Sequence, residues 1–349
     1  MKLVVQLKLL PTETEAKLLD ATAKQYITLI NEILDCAIAC DEMPKLSSCK
    51  LKAPLPSALK DQCRLDAKSI YDKVTKPGSK HNGKFPLLKK LVIVWNNQNY
   101  TIGKDYIAMP FFVDGKSRKM KIAAIVPDEV FEILSTSKRG TLRITKKGNK
   151  YIAQIAYEKA EAPLMDGQAI MGVDLGIKCP AVSVTSNSKT KFYGNGRQNK
   201  FVRRRYAKRR KKLGKAKKQK AICKSRNKEQ RWMTDQDHKI SRSIVNEAIK
   251  QNVSTIKLES LSGIRQTTRT SRKNNHSFHN WSFYRMTMFI EYKARLAGIN
   301  VVYVNPAYTS QTCPQCGEKH HAKDRLYVCP KCGFHGHRDR IGALNILNA

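Results

Sequence analysis

Ile170-Met-Gly-Val-Asp174-Leu-Gly176 is an apolar run of strand length interrupted by one acid. A lone carboxylate in such a strand costs on the order of several kcal/mol unless it is paired or bound to a metal. A nearby Arg or backbone donors would satisfy it; so would a cation. Strand-like runs follow at Ala181 to Thr185 and Thr190 to Tyr193. His238 to Asn252 reads as an amphipathic helix with Ile240, Ile244, Val245, Ala248 and Ile249 on one face, and Ser254 to Glu259 as a strand. Trp281 to Ala297 is a second helix, with Met286, Phe289, Ile290, Lys293 and Leu296 on one face; Gly298 stops it before a strand at Asn300 to Val304. Three strands, then helix-strand twice, predict an α/β fold with a mixed central sheet beyond about Gln168.

Two further acids stand at informative places. Glu259 ends its strand, and strand ends are where sites gather in α/β sheets. Asp339 lies in the first turn of a helix marked by Ala343, Leu344, Ile346 and Leu347, where an acid also serves as a cap or dipole partner. Hydrolysis of a phosphodiester by two metals needs carboxylates that hold two divalent ions about 4 Å apart. Mg2+ prefers such oxygen ligands.

Ten cysteines are present. Cys313-Pro-Gln-Cys316-Gly and Cys329-Pro-Lys-Cys332-Gly repeat one pattern with twelve residues between them. Two such knuckles supply the four thiolates of a closed, structural zinc site, and the Gly after each pair permits the tight turn. The motif is strong for zinc and weak for function. The other six cysteines are scattered; Cys36 and Cys40, one helical turn apart, are expected to be small core residues in a reducing compartment.

Upstream, Met1 to Leu10 reads as a strand. Pro11-Thr12 opens a helix whose stripe, Ala16, Leu19, Ala23, Ile27, Ile30, Leu34 and Ile38, runs to about Asp41. A second helical stretch covers roughly Pro56 to Val74, and a polar breaker follows. Leu91 to about Glu158 turns to strands, with a hairpin at Lys147-Gly148-Asn149. A helical segment is thus inserted within a β module, and residues 160–167 form a linker.

Sixty-six Lys and Arg against 28 Asp and Glu give a formal charge of +38. A surplus this large repels itself unless a polyanion neutralises it, so nucleic acid is the expected partner. No apolar run reaches 18 residues and the N-terminus lacks signal-peptide anatomy, so a cytoplasmic protein with no membrane partner is expected. Residues 197–231 hold eighteen Lys or Arg against one acid, Glu229, with little apolar stripe; this tract is expected to be helical at most when bound to something.

Gly172-Val-Asp174-Leu-Gly-Ile177, Ile256-Lys-Leu-Glu259-Ser-Leu-Ser-Gly263 and Arg338-Asp339-x-x-Gly-Ala-x-Asn345 resemble the three split motifs of RuvC-like nucleases. Asn305-Pro-Ala-Tyr-Thr309-Ser310-Gln311-Thr-Cys313, leading into a four-cysteine ribbon just before the third motif, is more specific. With Trp281-Ser-Phe283 it resembles TnpB, the transposon-encoded relative of type V CRISPR effector nucleases. The resemblance is sharp from about Ile170 onward and architectural before it. It implies a β-barrel wedge module at 1–10 and 91–165, interrupted by a helical recognition lobe at 11–90. It implies an RNase H-like RuvC nuclease domain at 166–306 and 336–349, with a basic helical insert at 195–235 and a zinc ribbon at 307–335. Asp174, Glu259 and Asp339 would be the catalytic acids binding two Mg2+; Cys313, Cys316, Cys329 and Cys332 would bind one Zn2+. The activity implied is cutting of double-stranded DNA beside a short motif, directed by a guide RNA transcribed from the transposon end, with one protein copy per RNA. Where the family carries Asp-Arg-Asp, this chain has His337-Arg-Asp339, and Ile341-Gly342 replaces Asn-Ala.

Arg203, Arg204, Arg205, Arg209, Arg210, Lys211 and Lys212, with a second tract at Arg265, Arg269 and Arg272, are candidate phosphate contacts that would position nucleic acid without reading its sequence. Rival readings are a nuclease-inactive RNA-guided repressor, a DNA-strand-transfer transposase, and a CRISPR effector of the same fold.

Overall fold

The computed structural model describes residues 1–349 except 82, 268–274, 276–277 and 323; the side chains of residues 226 and 267 also lie outside it. Two compact units emerge, Met1–Ala160 and Glu161–Ala349.

In the first unit, β1 (Lys2–Leu9) leads to α1 (Glu13–Ala39), α2 (Ser57–Thr75), β2 (Val92–Trp95), β3 (Thr101–Ile102), β4 (Tyr106–Val113), β5 (Lys116–Ile125), α3 (Asp128–Thr136), β6 (Arg139–Lys147) and β7 (Lys150–Glu158). The strands form one seven-stranded sheet in the order β2-β6-β7-β1-β5-β4-β3. The first strand therefore sits mid-sheet, antiparallel to β7 from Lys2 opposite Glu158 to Leu9 opposite Tyr151. The helices α1 and α2 are inserted between strands of one sheet, as their sequence position implies. Thr12 caps α1 in a reciprocal box with Glu15. Tyr26, Ile30 and Leu59 from the helices join Leu7, Trp95, Phe111 and Ile155 from the strands in one core.

Two expectations for this unit fail. The helix α3 interrupts what reads as an all-strand region; its Leu134 is buried. Cys36 and Cys40 are exposed rather than core residues. The buried face of α1 runs through Ile30, Ile33, Leu34 and Ala37, and the two cysteines face away from it.

In the second unit, β8 (Ala169–Leu175), β9 (Ala181–Thr185) and β10 (Thr190–Tyr193) precede α4 (Gly196–Lys215) and α5 (Gln219–Lys250). Then come β11 (Val253–Glu259), α6 (Ile264–Thr267), α7 (Phe283–Leu296), β12 (Asn300–Val304), β13 (Leu326–Val328), β14 (His335–His337) and α8 (Arg338–Asn348). The central sheet has the order β10-β9-β8-β11-β12. β8 runs antiparallel to β9 and parallel to β11, so the sheet is mixed, as the element order predicts.

Strand alternation divides β8 between two faces. Met171, Val173 and Leu175 pack with Ile240, Ile244, Val245, Met286 and Ile290 of α5 and α7. Gly172 and Asp174 face the other way, where Ala343, Leu344 and Leu347 of α8 meet Val182 and Val184. Ile249, expected on the buried face of its helix, is 45% exposed.

The basic tract, expected to be helical at most when bound, forms α4 and α5. A narrow stripe suffices. Val202, Tyr206, Ala207 and Leu213 are shielded at helical spacing, with Ile222, Ser225 and Met233 on α5. The Arg210 guanidinium meets the Glu229 carboxylate at 2.5 Å between the two helices. Among the described residues, no helix is long and apolar enough to cross a membrane.

Candidate active site

Parallel register brings two acids together. Val173 lies opposite Leu258, which carries Asp174 beside Glu259 at the carboxyl ends of adjacent strands. Both point to the face that α8 covers, because their neighbours Val173 and Leu258 fill the opposite core. The second residue of α8, buried Asp339, is the third acid.

Close helix packing brings α8 to the acids. A Cβ on Gly172 would lie 2.3 Å from the Ala343 carbonyl oxygen and 2.6 Å from the Leu347 nitrogen. That glycine therefore admits the helix backbone. Gly342 turns its bare side to Asp174, whose carboxyl carbon would lie 3.2 Å from an added Cβ.

The electrostatics follow from crowding like charges in a desolvated place. Burial pushes the Asp174 carboxyl up to about 8, with Glu259 and Asp339 adding to the rise and Arg325 and Arg338 opposing it. Burial also raises Glu259, against the hydrogen bond it accepts from Thr309. Asp339 accepts from the Arg325 guanidinium through Oδ1. Among the described residues its Oδ2 is buried with no hydrogen-bond partner, a lack that a bound cation would make good.

His337, standing where the resemblance leads one to expect an acid, is the N-cap of α8: its Nδ1 accepts from the Asp339 backbone nitrogen at 3.3 Å. The imidazole thus does at the helix start what a carboxylate there would do.

The four cysteines converge, with all four sulfurs within 4.8 Å of one another. Cys313 and Cys332 sulfurs are 3.6 Å apart, and those of Cys316 and Cys329 3.5 Å. A tetrahedron of ~2.3 Å Zn–S bonds has edges of about 3.8 Å, so the spacing fits a zinc ion and not a disulfide. The two knuckles have the same hydrogen bonds: Gly317 N donates to Cys313 O and Gly333 N to Cys329 O, each at 3.0 Å. Both glycines have positive φ, 75° and 74°. The hairpin of β13 and β14 joins this module directly to α8, and the Arg338 amide donates to Arg325 O at 2.8 Å.

Of the candidate phosphate contacts, Arg204, Arg205, Arg209, Lys211 and Lys212 are exposed on α4. Arg203 is half-buried, which lowers its guanidinium, and Arg210 is tied to Glu229. Arg265 donates to Trp281 O at 2.9 Å and lies 5.1 Å from the centre of the Phe283 ring. Arg269 and Arg272 lie outside the described residues.

A family profile described as "Probable transposase" matches residues 154–265, and one described as "Cas12f1-like, TNB domain" matches residues 283–346. The three acids and four cysteines all fall within these two stretches. This chain is similar in those stretches to TnpB-like and Cas12f1 proteins. It is 38% identical over 121 residues to a TnpB-like protein of Methanocaldococcus jannaschii, covering 34% of this chain and 43% of that one. It is 29% identical over 216 residues to the CRISPR-associated endodeoxyribonuclease Cas12f1 of Sulfoacidibacillus thermotolerans, covering 57% of this chain and 50% of that one. The chain spans about half the length, or less, of those curated proteins. Its fold matches a Cas12f1 chain solved with sgRNA and target DNA, with TM-score 0.71 over 97% of this chain and 83% of the other at 16% identity. The mixed α/β architecture is therefore that of Cas12f.

Sequence reasoning assigned no role to Thr309, Arg325, Lys257 or Asn345. Thr309 and Asn345 stand in quoted motifs, but their partners are distant in sequence. Arg325 carries no local signal; only the pairing of Leu326 with His337 brings it beside Asp339. Lys257, two residues before Glu259 on the same face, donates to Leu347 O at 3.0 Å and closes the far end of α8.

Proposed function

We propose that this chain is an RNA-guided endonuclease that hydrolyses double-stranded DNA, with Asp174, Glu259 and Asp339 as the catalytic acids. The observation that carries the reading is the Asp174 carboxyl, raised by burial and by both other acids, each from a different element of the chain. Such a cluster is unstable as three bare anions and is suited to divalent cations. Among the described residues the close group of metal-ligating side chains is that of the four cysteines, not the three acids. Two Mg2+ ions, when bound, would supply an activated water and stabilise the leaving oxygen of the phosphodiester. The chain's own part is to hold Asp174 and Glu259 on one face of the sheet, to bring Asp339 to them on α8, and to keep Arg325 beside Asp339.

The same reading assigns residues 1–10 and 91–165 to a barrel-like wedge and 11–90 to a recognition lobe. Residues 166–306 and 336–349 become a RuvC-like domain, and 307–335 a zinc ribbon held by Cys313, Cys316, Cys329 and Cys332. The exposed cations of α4 would contact guide RNA or heteroduplex phosphates, with one protein copy per RNA. The profile described as "Probable transposase" favours a second reading, DNA strand transfer; an RNA requirement discriminates against it.

The test expresses the gene with its native flanking DNA and sequences the copurifying RNA. One abundant structured RNA ending in flanking sequence, with plasmid cutting that depends on it, is expected. Asp174→Ala should abolish cutting and keep the RNA. Undiminished cutting by that variant refutes the assignment.

A further inference from the structure

The loop between β12 and the first cysteine knuckle reaches into the acid cluster. The buried Thr309 hydroxyl bonds to Oε1 of Glu259 at 2.5 Å and lies 3.1 Å from the Pro306 carbonyl oxygen. A hydroxyl has one proton to give, and an ionised carboxylate is the stronger acceptor. That bond occupies Oε1 and leaves the other oxygen of Glu259 for a cation. Thr309 is held in turn by its own loop and by α8. The amides of Gln311 and Thr312 both donate to Tyr308 O, at 2.9 and 3.0 Å. The Asn345 carboxamide donates to Thr309 O and to Thr312 O, each at 2.7 Å. Its two protons are thereby both used, so no other side chain of similar size, Asp included, replaces it. The helix that carries Asp339 therefore also anchors the loop that orients Glu259.

We propose that Thr309 is a positioning residue that fixes which oxygen of Glu259 faces the divalent cations, and that Asn345 fixes Thr309. The proposal rests on the assignment of Glu259 to the cation site. A hydroxyl that merely completes a buried polar set would be needed for folding and indifferent to cations. A positioning hydroxyl changes cation affinity in a protein that is otherwise intact.

The experiment measures Mn2+ binding to the full chain by electron paramagnetic resonance, which needs no activity, and the Mg2+ dependence of cutting by the RNA-loaded protein. Thr309→Val keeps the shape and deletes the hydroxyl; Thr309→Ser restores it. Loss of such an outer hydrogen bond to a metal ligand costs about tenfold in metal affinity. Thr309→Val should therefore raise the half-saturating Mn2+ and Mg2+ by about that factor, with the cutting rate regained at high Mg2+, and Thr309→Ser should match wild type. Asn345→Ala should shift both in the same direction, and the double variant should fall short of the product of the singles. Wild-type Mn2+ affinity in Thr309→Val, alongside lost binding in Glu259→Gln, overturns the positioning role and leaves the site assignment standing. Wild-type binding in Glu259→Gln overturns the site assignment and the proposal with it. Should Thr309→Val fail to fold, Asn345→Ala is read alone, and an unchanged half-saturating concentration overturns the proposal.

Discussion

Replacing Asp174 with Asn removes a charge that the folded chain disfavours, and the consequence is a measurable change in how stability varies with pH. The Asp174 carboxyl ordinarily titrates at 3.8 and in the folded chain at about 8. A group whose folded value is raised contributes stability that is complete below its unfolded value and is lost as pH rises through the folded one. Without divalent cations, wild type should therefore lose stability steadily from about pH 4 to pH 8. At about 1.4 kcal/mol per pH unit the ceiling is about 6 kcal/mol, and relaxation around the charge makes ~2 kcal/mol the working figure. Asp174→Asn keeps the shape and removes the titration. The assay is urea or thermal unfolding of both proteins from pH 6 to pH 9 in chelator, then with Mg2+. The difference between the two curves cancels groups they share, such as His238, whose imidazole burial lowers. The variant should be the more stable at pH 9 in chelator, and Mg2+ should restore the wild type alone. Parallel curves for the two proteins would refute the clustering of the acids. Because burial and the other two acids raise Asp174, Mg2+ binding near pH 7 should release a proton, and affinity should rise with pH up to about pH 8.

Three further outcomes are expected. One zinc ion per chain should copurify, seen by elemental analysis, and Cys329→Ser should lose it and lower the melting temperature, since structural zinc sites contribute folding energy. Gly342→Ala adds helix propensity worth ~1 kcal/mol but sets a methyl 3.2 Å from the Asp174 carboxyl carbon; melting should show little net gain, while the Mg2+ needed for half-maximal cutting rises several-fold. Changing Arg204, Arg205 and Arg209 together to Gln should reduce the salt dependence of RNA binding by roughly two to three log units per log unit of salt, read by filter binding. Arg210→Gln should instead loosen the α4–α5 pair it joins through Glu229, visible as a lower melting temperature.

Much of the fold is legible because apolar period and punctuation agree. The runs at 181–185 and 190–193 are strands with those bounds, and Gly298, at φ 73°, ends its helix. The hairpin at Gly148 needs the positive φ of 62° that glycine supplies. The failures have common causes. Between strong strands, nine residues of α3 after Pro127 carry too short a stripe to stand out. In α4, cations hide a stripe of Val202, Tyr206, Ala207 and Leu213 that needs only one partner helix to be covered. Cys36 lies one residue before buried Ala37, and one residue is about 100° of helix, enough to turn a thiol from core to solvent.

The candidate site shows the same division between local and non-local information. Each acid announces itself by an odd position: in an apolar strand, at a strand end, at a helix start. Their meeting depends on the register that sets Val173 opposite Leu258 and on the absent side chain at Gly172. Their control depends on contacts with no local mark. The cysteine module touches two of the three acids, through Thr309 just before its first knuckle and Arg325 just before β13. A module inserted immediately before the helix that bears Asp339 is tethered at both ends to the acid cluster: one end by Asn345, the other by the hairpin running into α8. Zinc, when bound at the four thiolates, would stiffen a frame whose edges hold Glu259 and Asp339. Removing it with a chelator strong enough to strip structural zinc should weaken cation binding at the acids before the central sheet unfolds. Mn2+ resonance and far-ultraviolet circular dichroism, followed together through the titration, separate the two events. Simultaneous loss of both signals would mean that the module and the sheet are one cooperative unit and that the ribbon has no separate hold on the site.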